Sequence, residues 1–157
     1  MLIGVVSDTH RNTWIVDRVM DRFNNVDLII HLGDNTQDVS EFKKAYVGNI
    51  LNVKGNCDYS STISSDIVED ICGKRFFITH GHNYDVKNGL SRIKEKAKEV
   101  KADIVLFGHT HISEIIYEDG IWFINPGSPV LSRDRHNSVA ILNIENGEVN
   151  ASIKSIK

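Results

Sequence analysis

The residues best suited to chemistry fall in six short knots: Asp8-Thr9-His10, Gly33-Asp34, Gly55-Asn56-Cys57-Asp58, His80-Gly81-His82, Gly108-His109-Thr110-His111 and Asn125-Pro126-Gly127-Ser128. Seven of these residues are candidate metal ligands: Asp8, His10, Asp34, Asn56, His80, His109 and His111. Their oxygen and nitrogen donors suit Mn, Fe(II), Co, Ni or Zn better than Mg or Ca, whose shells are almost wholly oxygen. Seven donors exceed what one ion with an open position needs, but they suit two ions sharing a carboxylate, for which Asp34 is the natural bridge. Two ions about 3.5–4 Å apart can polarise a phosphoryl group, lower the pKa of a shared water toward about 7 and hold the attacking and leaving oxygens. Such a site is suited to phosphoester hydrolysis.

Each knot ends an apolar run, and ligands of open α/β sheets gather beyond the carboxyl ends of the strands. Leu2 to Val6 is continuously apolar, as in a strand buried on both faces, and it delivers Asp8 and His10. Trp14, Ile15, Val19, Met20 and Phe23 have helical spacing, with Asn12 or Thr13 as N-cap. A strand over 27–30 leads to Gly33-Asp34, followed by a helix through Val39, Phe42 and Tyr46 that Asp38 and Glu41 are placed to cap. Ile50, Leu51 and Val53 mark a third strand, and the runs on either side of Gly73 pair as a hairpin. Val86, Leu90, Ile93, Ala97 and Val100 predict a helix capped by Asp85, and 103–107 is a buried strand. Asp119-Gly120 and Asn146-Gly147 are hairpin turns. The pattern predicts an α/β fold with mixed strands, two sheets and helices outside.

In order, Asp-x-His, Gly-Asp, Gly-Asn, His-Gly-His and Gly-His-x-His resemble the calcineurin-like metallophosphoesterases over nearly the whole chain. The small size and the Gly-Asn-Cys-Asp variant are similar to the compact prokaryotic phosphodiesterase branch. The resemblance implies a four-layer sandwich of two mixed β-sheets flanked by helices. It implies Asp8, His10, Asp34 and His111 around one metal, Asp34, Asn56, His80 and His109 around a second, and a bridging hydroxide that attacks phosphorus. Manganese is the first expectation for the two divalent ions, and the substrate a small phosphodiester. A nucleotide or phosphomonoester phosphatase is the enzymatic alternative, and a noncatalytic protein-binding scaffold of the same fold the alternative of another class.

Asn56, Cys57, Asp58 and His82 are the candidate catalytic residues beside the ligands. Many relatives carry a histidine after the Asn ligand, where it contacts the ester and protonates the leaving group; here Cys57 stands there, a weak donor. Asp58 is thereby left without the histidine it would orient. His82 is either a substrate contact or an orienting neighbour of a ligand. Arg11 offers a planar fork of donors to a phosphate oxygen. Gly33-Asp34 continues as Asn35-Thr36-Gln37 and not as the Asp-Arg-Gly of protein phosphatases, which argues against a phosphoprotein substrate.

Asn125 to Ser128 reads as a tight turn, His31 and His136 as structural or exposed residues, Cys72, Trp14 and Trp122 as packing residues, and the lysines from Lys87 to Lys101 as a solvated face. The 157 residues suit one domain, 1–157, and a net charge of −3 disfavours bulk nucleic-acid binding. Two cysteines cannot frame a domain of this size with disulfides, and no signal-peptide or membrane-span pattern is present, so a cytoplasmic protein is expected. A homo-oligomer is compatible with all of this.

Overall fold

The computed structural model describes residues 1–59 and 61–157. Strands β1 (Leu2–Val6), β2 (Leu28–His31) and β3 (Asn49–Asn52) are parallel, while the hairpin of β9 (Ser138–Glu145) and β10 (Glu148–Ser155) adds to the free side of β1. This gives the order β10-β9-β1-β2-β3. The second sheet contains β4 (Asp66–Ile71), β5 (Lys74–Thr79), β6 (Ile104–Leu106), β7 (Ser113–Glu118) and β8 (Ile121–Pro126), in the order β4-β5-β6-β8-β7. Its three central strands are parallel and its two edges antiparallel.

Alternation along the strands sorts the apolar residues into three layers of core. Ile3, Val5, Leu28 and Ile30 of one sheet meet Phe76, Ile78, Ile104, Leu106 and Ile124 of the other. The opposite face, through Val6, Ile29 and Val139, receives Ile15 and Val19 of α1 (Ile15–Arg22), Phe23 at its C-cap, and Phe42 of α2 (Val39–Ala45). Phe77, Val105 and Phe107 on the other outer face receive Ile93 and Ala97 of α3 (Ser91–Glu99). Two mixed five-stranded sheets between helices are therefore the fold, as the motif order implied. Among the described residues, the three hairpins turn on two residues with positive φ, Cys72-Gly73, Asp119-Gly120 and Asn146-Gly147, the conformation a tight two-residue turn requires.

The helix starts differ from the expectation. Trp14, not Asn12 or Thr13, is the N-cap of α1, and Asp38 holds the N-cap position of α2 without a side-chain capping bond. The Asp38 carboxylate instead accepts from Thr9 Oγ1 at 2.6 Å and Arg11 N at 2.9 Å. The third helix begins at Ser91 instead of near Val86, because Asp85 (φ 55°) and Gly89 (φ 132°) break the helical path that the apolar spacing continues through. Trp14 is exposed beside Arg18, and Cys72 is exposed in its turn, so neither packs in the core. Among the described residues no helix is long and apolar enough to cross a membrane.

Candidate metal centre

The carboxyl ends of β1, β2, β3, β5 and β6 open toward one another, and their loops bring the seven candidate ligands together. Donor atoms of Asp8, His10 and His111 lie within 4.8 Å of one another, as do those of Asp34, His80 and His109. A third group under the same limit, His10, Asp34 and Cys57, joins the two triads. His80 Nε2 lies 3.5 Å from Asp34 Oδ1 and 3.2 Å from Asn56 Oδ1, which puts the amide with the second triad.

Ring orientation is fixed from behind. His80 Nδ1 donates to Leu32 O at 2.8 Å and His111 Nδ1 to Leu131 O at 2.8 Å, so each neutral ring turns an Nε2 lone pair inward. Inward nitrogens then face one another: His10 Nε2 to His111 Nε2 at 3.2 Å, and His80 Nε2 to His109 Nδ1 at 3.2 Å. Converging lone pairs repel unless a proton or cation lies between them.

Asp8 supplies the sharpest test of fit. It is wholly buried, and its Oδ2 accepts from Ser7 Oγ at 2.6 Å and His109 N at 3.1 Å. Its Oδ1 has no aligned hydrogen-bond donor, although His111 Nε2 lies at 3.1 Å and His10 and His80 Nε2 both at 3.9 Å. A buried carboxylate oxygen without a donor costs several kcal/mol unless a cation satisfies it, so the donor set fits a divalent metal. Without a metal, burial works against ionisation of Asp8, but protons on His111 and His80 outweigh it and hold the carboxyl below its usual range, a positive charge that a bound cation would supply instead. At Asp34 burial is likewise outweighed, by the His80 contact and the Cys57 backbone N–H. Burial, then the neighbouring His80, pushes His109 down to about 4, keeping its ring neutral as a ligand must be.

Five of the seven candidate ligands, Asp8, His10, Asp34, His109 and His111, have φ between 49° and 69°. Left-handed backbone costs a non-glycine residue about 1 kcal/mol or more, so tertiary contacts must impose it. Asp58 is one source of that constraint. Its Oδ2 accepts from Asp34 N at 3.1 Å and Gly55 N at 2.8 Å, and its Oδ1 from Asn35 N at 3.0 Å and Thr36 N at 2.9 Å. The residue expected to orient a histidine clamps the Asp34 loop to the Asn56 loop. Only glycine fits there, since a Cβ on Gly55 would sit 2.1 Å from Asp34 Oδ1.

Two fasteners lie in the segment read as a tight turn. Asn125 is at the end of β8, where its Nδ2 donates to Gly108 O at 3.1 Å and Thr110 Oγ1 at 2.9 Å, bracing the loop of His109 and His111. Ser128 Oγ donates to Asp8 O at 2.9 Å. His31 is fully buried, 3.1 Å from Thr9 Oγ1, and burial pushes it down to about 4. His136 is exposed.

Cys57, Arg11 and His82 border the ligands. Burial, then the Asp34 carboxylate, raises the Cys57 thiol to about 11. Arg11 and Cys57 line a cleft of about 270 Å³ with Asn35, Thr36 and Tyr59. The His82 ring lies 5.3 Å from His80 and 6.1 Å from His109, with its Nδ1 buried and unpartnered. A cavity of about 460 Å³, lined by Asp134, Ile153 and Ser155 among others, has none of the candidate ligands in its walls.

The fold and its candidate ligands have the arrangement of a metallophosphoesterase, and residues 1–147 match the calcineurin-like phosphoesterase superfamily domain, the family to which the chain belongs. The probable metallophosphoesterase YsnB of Bacillus subtilis is 33% identical over 148 residues, 93% of this chain and 86% of that protein. A solved archaeal phosphodiesterase has a TM-score of 0.78 at 27% identity, covering 98% of this chain and 100% of its own. Vps29 from Entamoeba histolytica, at 22% identity, shares the fold with a TM-score of 0.79 and full coverage of both chains.

Proposed function

We propose that the chain is a dinuclear metal-dependent phosphodiesterase acting on a small diester. Asp8, His10, Asp34 and His111 would hold one divalent cation, and Asp34, Asn56, His80 and His109 the other. When bound, the pair supplies Lewis-acid polarisation of the phosphoryl oxygens and a water acidic enough to attack at neutral pH. The observation that carries this reading is the wholly buried, donor-free Asp8 Oδ1 facing three imidazoles.

Charge supports a diester. Two divalent cations against Asp8 and Asp34 leave a surplus of two positive charges, matched by one diester anion and one hydroxide. Arg11 is free to contact a nonbridging oxygen from the adjoining cleft, and His82 to approach the leaving oxygen through its unpartnered face. The uncharged Cys57 thiol makes a poor proton donor, so esters whose leaving groups depart as stable anions are favoured. Manganese is the expected metal, with Ni, Fe, Co and Zn compatible with the same donors.

The test is hydrolysis of an aryl diester by the Mn-loaded protein with and without chelator, beside aryl monoesters and cyclic nucleotides. Chelator-sensitive diester turnover is expected. Preference for monoesters would assign a phosphatase instead, and retained metal without turnover on any ester would favour a protein-binding scaffold of the same fold.

A further inference from the structure

A second cavity, of about 430 Å³, opens one residue from two of the candidate ligands. Thr110, between His109 and His111, lines it, and Arg133, whose backbone N–H donates to His111 O at 2.9 Å, forms another wall. Its floor is apolar: Phe107 and Val86 are buried, Leu90 is half-buried, and Ile112 is exposed at the rim. Lys87, Arg133 and Glu114 ring the opening, and neither cation has a carboxylate partner among the described residues.

These features specify an occupant. The volume is that of a small-molecule pocket, large enough for one ring system. Half-buried Leu90 and exposed Ile112, backed by Phe107 and Val86, reward an apolar or aromatic surface. Lys87 and Arg133 attract an anion, and Arg133 stands at the metal end of the cavity, tied to the His111 loop through its backbone N–H. Glu114 opposes a second negative charge inside, which selects a neutral group attached to a phosphate over a multiply charged one.

We propose that this cavity is a specificity site for a neutral aromatic arm of the phosphoester, seated between Leu90 and Ile112 while the phosphate faces the ligands. The assignment rests on the phosphoesterase reading for the identity of the anion, but its test requires no turnover.

Binding of phenylphosphonate and methylphosphonate to the metal-loaded protein is measured by calorimetry, neither probe being hydrolysable. The phenyl compound is expected to bind about tenfold more tightly, the worth of burying one ring face. Ile112→Asp should reduce that preference to about threefold or less, whereas Val47→Asp, at an exposed position outside the site, should retain it. Equal binding of the two probes, a preference untouched by Ile112→Asp, or no binding of either would overturn the proposal. A phenyl preference in a protein that hydrolyses no ester would instead sustain the cavity and overturn the enzymatic reading.

Discussion

Asp34 must satisfy two demands at once: its Oδ1 accepts the Cys57 backbone N–H at 2.9 Å, and its carboxylate faces donors of both triads. The neighbouring Cys57 separates positioning from proton transfer. Its backbone holds Asp34, while its thiol stays protonated and donates weakly. Cys57→Ala should therefore keep aryl diester turnover within about threefold of the wild type, since the backbone bond survives and no strong acid is lost. Steady-state rates on aryl and alkyl diesters check this; a loss of a hundredfold on the aryl ester would make the thiol a catalytic acid. Much of the site at this scale was legible because side-chain type announces ligand chemistry. Asn125 and Ser128 were not, since their partners, Gly108 and Asp8, are remote in sequence and only the tertiary fold pairs them.

The elements place ligands through loops that local preference would not choose. Asp58 converts four backbone N–H groups of two loops into one fixed unit. Asp58→Ala should cost about 2–4 kcal/mol, from buried donors left unsatisfied, and lower metal affinity by about tenfold to a hundredfold. Urea unfolding of the chelated protein and a metal titration read the two effects separately; unchanged metal affinity would remove Asp58 from the positioning of the centre. Apolar alternation and two-residue turn chemistry made the strands and hairpins readable. The helix starts were less so, because Asp38 has two competing uses, and the bonds to Thr9 and Arg11 near β1 win over capping its own helix. Residue spacing alone likewise carried the third helix back to Val86, where the left-handed Asp85 and the turn at Gly89 exclude it.

The whole molecule ties stability to pH through His31, which is fully buried behind the ligand loops. An exposed histidine in the unfolded chain takes up a proton near pH 6.5, whereas burial, against the pull of nearby Asp38 and Asp8, holds folded His31 neutral to about 4. Between those values the unfolded chain binds more protons, so stability falls as the pH drops through the window and is unaffected above it. The contribution is on the order of 3 kcal/mol across the window. Unfolding of the chelated protein between pH 7 and 4 should show a shallower acid slope in His31→Gln; identical slopes would mean that His31 takes up its proton in the folded state.

The proposed function requires loops of two sheets to share one pair of cations, and manganese titration of the wild type and Asp34→Asn, followed by metal content and electron paramagnetic resonance, tests that directly. The wild type should bind two equivalents per chain with an exchange-coupled signal, and the variant should lose the coupling and at least about a hundredfold in affinity and turnover. A single equivalent in the wild type, or an Asp34→Asn protein that keeps a coupled pair, would contradict the shared carboxylate.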